Sequence, residues 1–68
     1  MNGIILYTLP TCGKCEILKT KMKNKKIKYS EISELEYLAA NEIDTVPVLE
    51  IDGNRLNFVE ANSWINQQ

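Results

Sequence analysis

The 68-residue sequence predicts an α/β fold in the order β-α-β-α-β-β-α, a four-stranded mixed sheet flanked by three helices. Three observations predict it. Apolar, β-branched runs alternate with segments of helical periodicity. An Asp-Gly pair late in the chain joins two extended runs. No repeat, linker or low-complexity stretch interrupts the elements, so residues 1–68 are expected to form a single domain.

Ile4-Ile5-Leu6-Tyr7-Thr8 lacks alternation and reads as a strand covered on both faces, which Pro10-Thr11 then breaks. From Cys12 to about Asn24 the apolar positions Cys15, Leu18 and Met22, flanked by Ile17, fall on one helical face with lysines elsewhere. Lys26-Ile27-Lys28-Tyr29-Ser30 alternates with period two, predicting a half-exposed second strand. Ser33-Glu34-Leu35-Glu36 matches a capping box, with Ser33 as N-cap and Glu36 reaching back, ahead of a helix that stops at Asn41. Val46 to Ile51 predicts the third strand, Asp52-Gly53 a tight turn, and Asn54 to Asn57 the fourth strand. A last helix is expected from about Glu60 to Gln67, with Ala61, Trp64 and Ile65 on one face and Trp64 in the core. The first three strands are expected to be parallel through right-handed crossovers, with the hairpin as an antiparallel edge.

Apolar residues at 44% and charged residues at 25% are ordinary globular values. A net charge of −1 gives no case for nucleic acid or an anionic membrane as partner. The sum hides an asymmetry: residues 1–30 carry seven lysines against Glu16, and residues 31–68 carry Arg55 against eight acids. The first residues, Met1-Asn2-Gly3-Ile4-Ile5-Leu6, lack the basic region of a signal peptide, and no run approaches a membrane span. A cytoplasmic monomer is expected, with its thiols mostly reduced.

Histidine is absent, which removes imidazole bases and His-ligated metals. Two cysteines remain, Cys12 and Cys15. As a staple, a four-residue loop contributes roughly 2 kcal/mol at best. Two thiolates cannot close a zinc site within one chain, although two chains could pool four around zinc or an iron–sulfur cluster. The third reading is redox chemistry: one exposed thiolate attacks a disulfide and a second thiol resolves the mixed disulfide. At a helix start, Cys12 meets free N–H groups and the positive end of the dipole, while Cys15 lies one turn deeper. Gly13 leaves the approach to Cys12 open, and Lys14 adds a cation. Lowering a thiol pKa from about 8.5 to about 7 requires about 2 kcal/mol, within reach of a helix end plus a lysine. Cys12 is therefore expected to attack and Cys15 to resolve. Glu16 is read as a first-turn partner of Lys19.

Tyr7-Thr8-Leu9-Pro10-Thr11-Cys12-Gly13-Lys14-Cys15, with Thr45-Val46-Pro47 far downstream, resembles the glutaredoxins and small glutaredoxin-like redoxins of the thioredoxin fold over nearly the whole chain. The resemblance implies a minimal thioredoxin-like fold and a dithiol–disulfide oxidoreductase that reduces protein disulfides and holds no bound cofactor or metal. It implies a cis Val46–Pro47 bond, with Thr45, Val46 and Pro47 beside the cysteines and the Val46 backbone offered to the substrate. Tyr7 and Lys14 are carried over as further substrate-binding residues. Electrons would come from glutathione or from thioredoxin reductase and NADPH. Leu9 stands where glutaredoxins usually carry a basic residue that helps bind glutathione. Asn57-Phe58 stands near the place of their Gly-Gly pair, and Gly13-Lys14 replaces the usual Pro-Tyr. Phe58 before a short helix looks more like the redoxins that donate electrons to ribonucleotide reductase. Thioredoxin reductase is therefore expected to be a faster electron source than glutathione. A positive field from the basic helix would favour a Cys12 thiolate and steer an acidic partner.

Overall fold

The computed structural model describes residues 3–68 and contains β1 (Ile4–Tyr7), α1 (Gly13–Asn24), β2 (Ser30–Ile32), α2 (Leu35–Ala40), β3 (Val48–Ile51), β4 (Asn54–Leu56) and α3 (Phe58–Asn66). The signal-peptide reading begins at Met1 and Asn2, which lie outside the described residues. The order of elements is the expected one, and the sheet is mixed, with strands arranged β2-β1-β3-β4.

The direction of the third strand corrects the expectation. β1 pairs with β2 in parallel, but β3 runs antiparallel to β1, with Tyr7 opposite Val48 and Ile4 opposite Ile51. The connection from β2 to β3 leaves and re-enters the sheet at the end where β1 finishes, since Thr8 N–H bonds to Ile32 O and Val48 stands opposite Tyr7. α1, with 12 residues, is long enough to carry the chain back for a parallel return.

The second strand starts later than expected, at Ser30 rather than Lys26, because residues 25–27 finish α1. Ile27 N–H donates to the Met22 carbonyl at 2.9 Å and Lys26 N–H to the Lys23 carbonyl at 3.1 Å. Lys26 adopts φ 58°, so the pair forms a Schellman ending with a lysine in the left-handed position usually held by glycine. α2 ends the same way: Ile43 N–H reaches the Leu38 carbonyl at 2.8 Å, Glu42 N–H reaches Ala39, and Glu42 has φ 58°.

Two helix starts also differ. The first intrahelical bond of α2 runs from Leu38 N–H to the Glu34 carbonyl, which makes Glu34 the N-cap, and no side chain caps it. The box expected at Ser33 and Glu36 is therefore out of register by one residue. The capping box belongs to α3: Glu60 N–H donates to Asn57 Oδ1 at 2.8 Å, and Asn57 N–H donates to Glu60 Oε1 at 3.0 Å. Asn57 thus leaves the fourth strand, which stops at Leu56, and α3 begins at Phe58 instead of Glu60. Between β3 and β4, Asp52 and Gly53 take φ 50° and 88°, the two positive values of a type I′ turn.

Leu6 and Leu49, opposite each other in the sheet, pack with Leu18 and Met22 of α1 and Ala61 and Ile65 of α3 in one buried cluster. Trp64 packs against this cluster but is only half-buried, because Ala61 and Ile65 take the inward face of α3. α1 also holds α3 through lysines. Lys21 Nζ donates to the Asn62 and Asn66 side chains, and Lys25 Nζ donates to the main-chain carbonyls of Asn66 and Gln68. No described helix is long and apolar enough to cross a membrane.

Candidate redox site

Thr8 N–H bonds to Ile32 O at 2.9 Å, and the chain then turns through Leu9-Pro10-Thr11-Cys12, closed by Cys12 N–H to the Leu9 carbonyl at 3.3 Å. Pro10 occupies the second position of that turn, where its fixed φ is already correct. The turn delivers Cys12 to the N-cap of α1 in extended backbone, φ −96° and ψ 109°. Its carbonyl accepts the first helical bond, from Glu16 N–H at 3.2 Å, and its Sγ accepts the otherwise orphan N–H of Cys15 at 3.1 Å. An N–H aimed at this sulfur stabilises negative charge there.

Cys12 and Cys15 are joined as a disulfide, with their Cα atoms 5.2 Å apart. Cys12 is half-buried at the helix start, whereas Cys15 is fully buried one turn below. The two sulfurs are thus unequal: one is reachable from outside, the other only through its partner. Gly13 is exposed, with open space where a side chain would stand.

Of the other expected site residues, Lys14 is exposed and its Nζ lies 5.5 Å from the centre of the Phe58 ring, a cation–π contact between the cysteine loop and the start of α3. The Val46–Pro47 bond is cis. Because Val48 pairs with Tyr7, this bond stands at the end of β1 from which the cysteine loop departs. Pro47 is buried, Val46 half-buried and Thr45 exposed. Tyr7 is 3% exposed, so it lies within the sheet rather than on an open surface.

Lysine partners are the part that sequence reasoning missed. Lys19 meets Glu16 at 3.0 Å, as expected, but also Glu31 at 2.8 Å. These hydrogen bonds, Glu31's first, raise the Lys19 pKa above its ordinary value. With Lys21 and Lys25 engaged by α3, three of the seven lysines have hydrogen-bonding partners among the described residues. Also missed was a groove of about 430 Å³ between Leu9, α2 and Val46, with Leu38 and Ile43 in its lining. On the other side of the Ile43-Asp44-Thr45 loop, a hollow of about 320 Å³ carries Glu42, Asp44, Glu60 and Arg55. The signal for both is the Schellman ending of α2, whose left-handed residue is a glutamate and so gives no mark in the sequence. Among the described residues no group of three or more His, Cys, Asp or Glu side chains stands together as a metal site.

The Glutaredoxin family model matches residues 4–56, from the start of β1 to the end of β4. Comparison with curated proteins finds no match. Among solved structures, the one described as "C- Orthorombic NaGST1" matches with a TM-score of 0.80 at 20% identity, over 100% of this chain and 36% of that one. At that identity the likeness shows the fold, which is thioredoxin-like, and the chain spans about a third of the length of that structure.

Proposed function

We propose that this chain, which belongs to the glutaredoxin family, is a thiol–disulfide oxidoreductase that reduces protein disulfides with Cys12 as attacking thiolate and Cys15 as resolving thiol. One observation carries this reading: the half-buried Cys12 sulfur at a helix N-cap, bonded to a Cys15 sulfur that solvent does not reach.

The cycle balances as two exchanges. The Cys12 thiolate attacks one sulfur of the substrate disulfide, forming a Cys12–substrate bond and releasing the other substrate sulfur as a thiolate. Cys15, deprotonated, then attacks Cys12 Sγ, forming the Cys12–Cys15 disulfide and releasing the first substrate sulfur. The substrate gains two electrons and two protons, and the cysteine pair loses them. Sharing thiolates with a second chain around a metal, the other reading of the motif, requires both sulfurs at the surface, whereas Cys15 is fully buried.

Val46, with Thr45 and Pro47, offers backbone to the incoming chain, and Lys14 supplies a cation beside the loop, while Tyr7 supports this end of the sheet from within. For the electron source we choose thioredoxin reductase with NADPH over glutathione. Leu9 stands where the family's basic residue would meet a glutathione carboxylate, and three acids outnumber Arg55 in the hollow next to Thr45. Among protein disulfides, that of ribonucleotide reductase is the target named by the resemblance at Phe58, a monomeric cytoplasmic carrier being the form required.

The test uses reduced protein and a disulfide protein such as insulin. Cys15→Ser should accumulate a covalent Cys12–substrate adduct visible by mass spectrometry, and Cys12→Ser should give neither adduct nor turnover. An adduct through Cys15 in the Cys12→Ser protein would reverse the assignment. Oxidised wild-type protein should regain thiols faster with reductase and NADPH than with glutathione; complete, rapid reduction by glutathione alone would overturn the choice of donor.

A further inference from the structure

The groove beside Leu9 takes in Val46, already assigned to the substrate backbone, and extends from there onto α2, beside the turn that ends at Cys12. Leu9 forms one wall and is bonded through its carbonyl to the Cys12 N–H. Val46, immediately before the cis proline, forms another. The floor is Leu38, 5% exposed, and Ile43, held to it by the 2.8 Å bond that ends α2. At the rim stands Leu35, 71% exposed. A single exposed leucine needs no explanation, but one continuous with a concave apolar lining does.

We propose that this groove receives a large apolar side chain from the substrate protein, next to its reacting cysteine, in a segment that also carries basic residues. The inference rests on the proposed attack of Cys12 on protein disulfides and names the kind of segment attacked. The occupant follows from the covalent step. A substrate bonded to Cys12 holds its neighbouring residues within one or two 3.3–3.6 Å steps of that sulfur, and Leu9, which walls the groove, is hydrogen-bonded to Cys12. Tethering makes even shallow burial count, because the second contact is intramolecular. Charge completes the description. Asp44 is the one charged residue in the lining, and the residues on either side of Leu35 are Glu34 and Glu36, both exposed. No lysine or arginine lines the groove. Carboxylates of glutathione or of an acidic peptide meet repulsion there, and lysine or arginine beside an apolar residue meets attraction.

The experiment uses the reduced full chain and three cysteine peptides activated as mixed disulfides with thionitrobenzoate, so that attack of Cys12 on the peptide sulfur releases coloured thionitrobenzoate. The cysteine is flanked by Leu and Lys in the first peptide, by Ser and Lys in the second, and by Leu and Glu in the third. The Leu–Lys peptide should react about fivefold faster than the Ser–Lys peptide, the effect of partly covering one leucine. It should also outpace the Leu–Glu peptide by a margin that shrinks as salt rises. Leu35→Glu and, independently, Ala39→Glu, both at exposed positions, should abolish the leucine preference and leave the rate with hydroxyethyl disulfide unchanged. Equal rates for all three peptides, with hydroxyethyl disulfide still reduced, would overturn the groove's role and leave the Cys12 chemistry standing. Failure to react with any disulfide would overturn both.

Discussion

Lys26 and Glu42 each sit one residue beyond a helix C-cap at φ 58°, a region that costs an L-residue roughly 1 kcal/mol and costs glycine little. Lys26→Gly should therefore stabilise the protein by up to about 1 kcal/mol, raising Tm by roughly 4–8 °C for a domain of this size. Scanning calorimetry would show it, and a lowered Tm would contradict the strain argument. The same reasoning at Glu42 carries an added consequence, since Glu42→Gly also removes a carboxylate beside Thr45. At the cysteines, burial makes the prediction. In the reduced protein iodoacetamide should modify Cys12 first, because Cys15 is fully buried; peptide mapping that found Cys15 modified faster would exclude the proposed roles.

The elements differ in how their ends are held. α3 has a complete capping box at Asn57 and Glu60, with Lys25, the C-cap of α1, on the main-chain carbonyls of Asn66 and Gln68, whereas α2 is six residues long and has no side-chain cap. Asn57→Ala removes the acceptor for Glu60 N–H and should cost about 1 kcal/mol, read as a lowered midpoint in urea at unchanged slope. Lys25→Met should cost less, since its bonds are exposed. If the order of the two effects were reversed, the clasp between α1 and α3 would matter more than the cap. α2 also borders the site: Leu35, at its first turn, stays on the surface by the groove.

Across the whole molecule the basic N-terminal half and the acidic C-terminal half are partly stitched together. Lys19 joins Glu31 across this division, and Lys21 and Lys25 reach α3. The positive field expected around Cys12 therefore rests on Lys14 and the end of α1 more than on the seven lysines together. Titration gives this arrangement a signature. Lys19 has its pKa raised by hydrogen bonds to Glu31 and Glu16, and Tyr29 has its pKa raised chiefly by burial. In both, the folded state holds the proton more tightly than the unfolded chain. Their contributions are thus complete below about pH 10 and fade as pH rises past the ordinary lysine and tyrosine values. Tm should stay level through neutral pH and fall in alkali, less steeply in Lys19→Met; a rise in Tm above pH 10 would contradict the sign. The contribution of the half-exposed Lys19 is modest because water screens it.

Much of this was readable in order along the chain. Leu18 and Met22 at helical spacing, the Asp52-Gly53 turn and the Cys12–Cys15 interval depend on neighbours a few residues away, where backbone geometry alone decides the outcome. The fold class and the redox pair were determined by the sequence in that sense. What the tertiary structure decided depends on groups far apart in sequence or on registers shifted by one residue. The direction of β3 was set by its pairing with β1, residues more than forty positions apart, with Tyr7 opposite Val48. Trp64 stayed half-exposed because Ala61 and Ile65 took the inward face. The capping box moved from Ser33 to Asn57, since a box works only where the first turn begins, and that is set by how each helix packs. The groove by Leu9 likewise exists only once Glu42, in a left-handed conformation that its side chain does not advertise, turns Ile43 back onto Leu38. Local spacing puts the two sulfurs three residues apart at a helix start; the surface beside them depends on contacts that no short stretch of sequence contains.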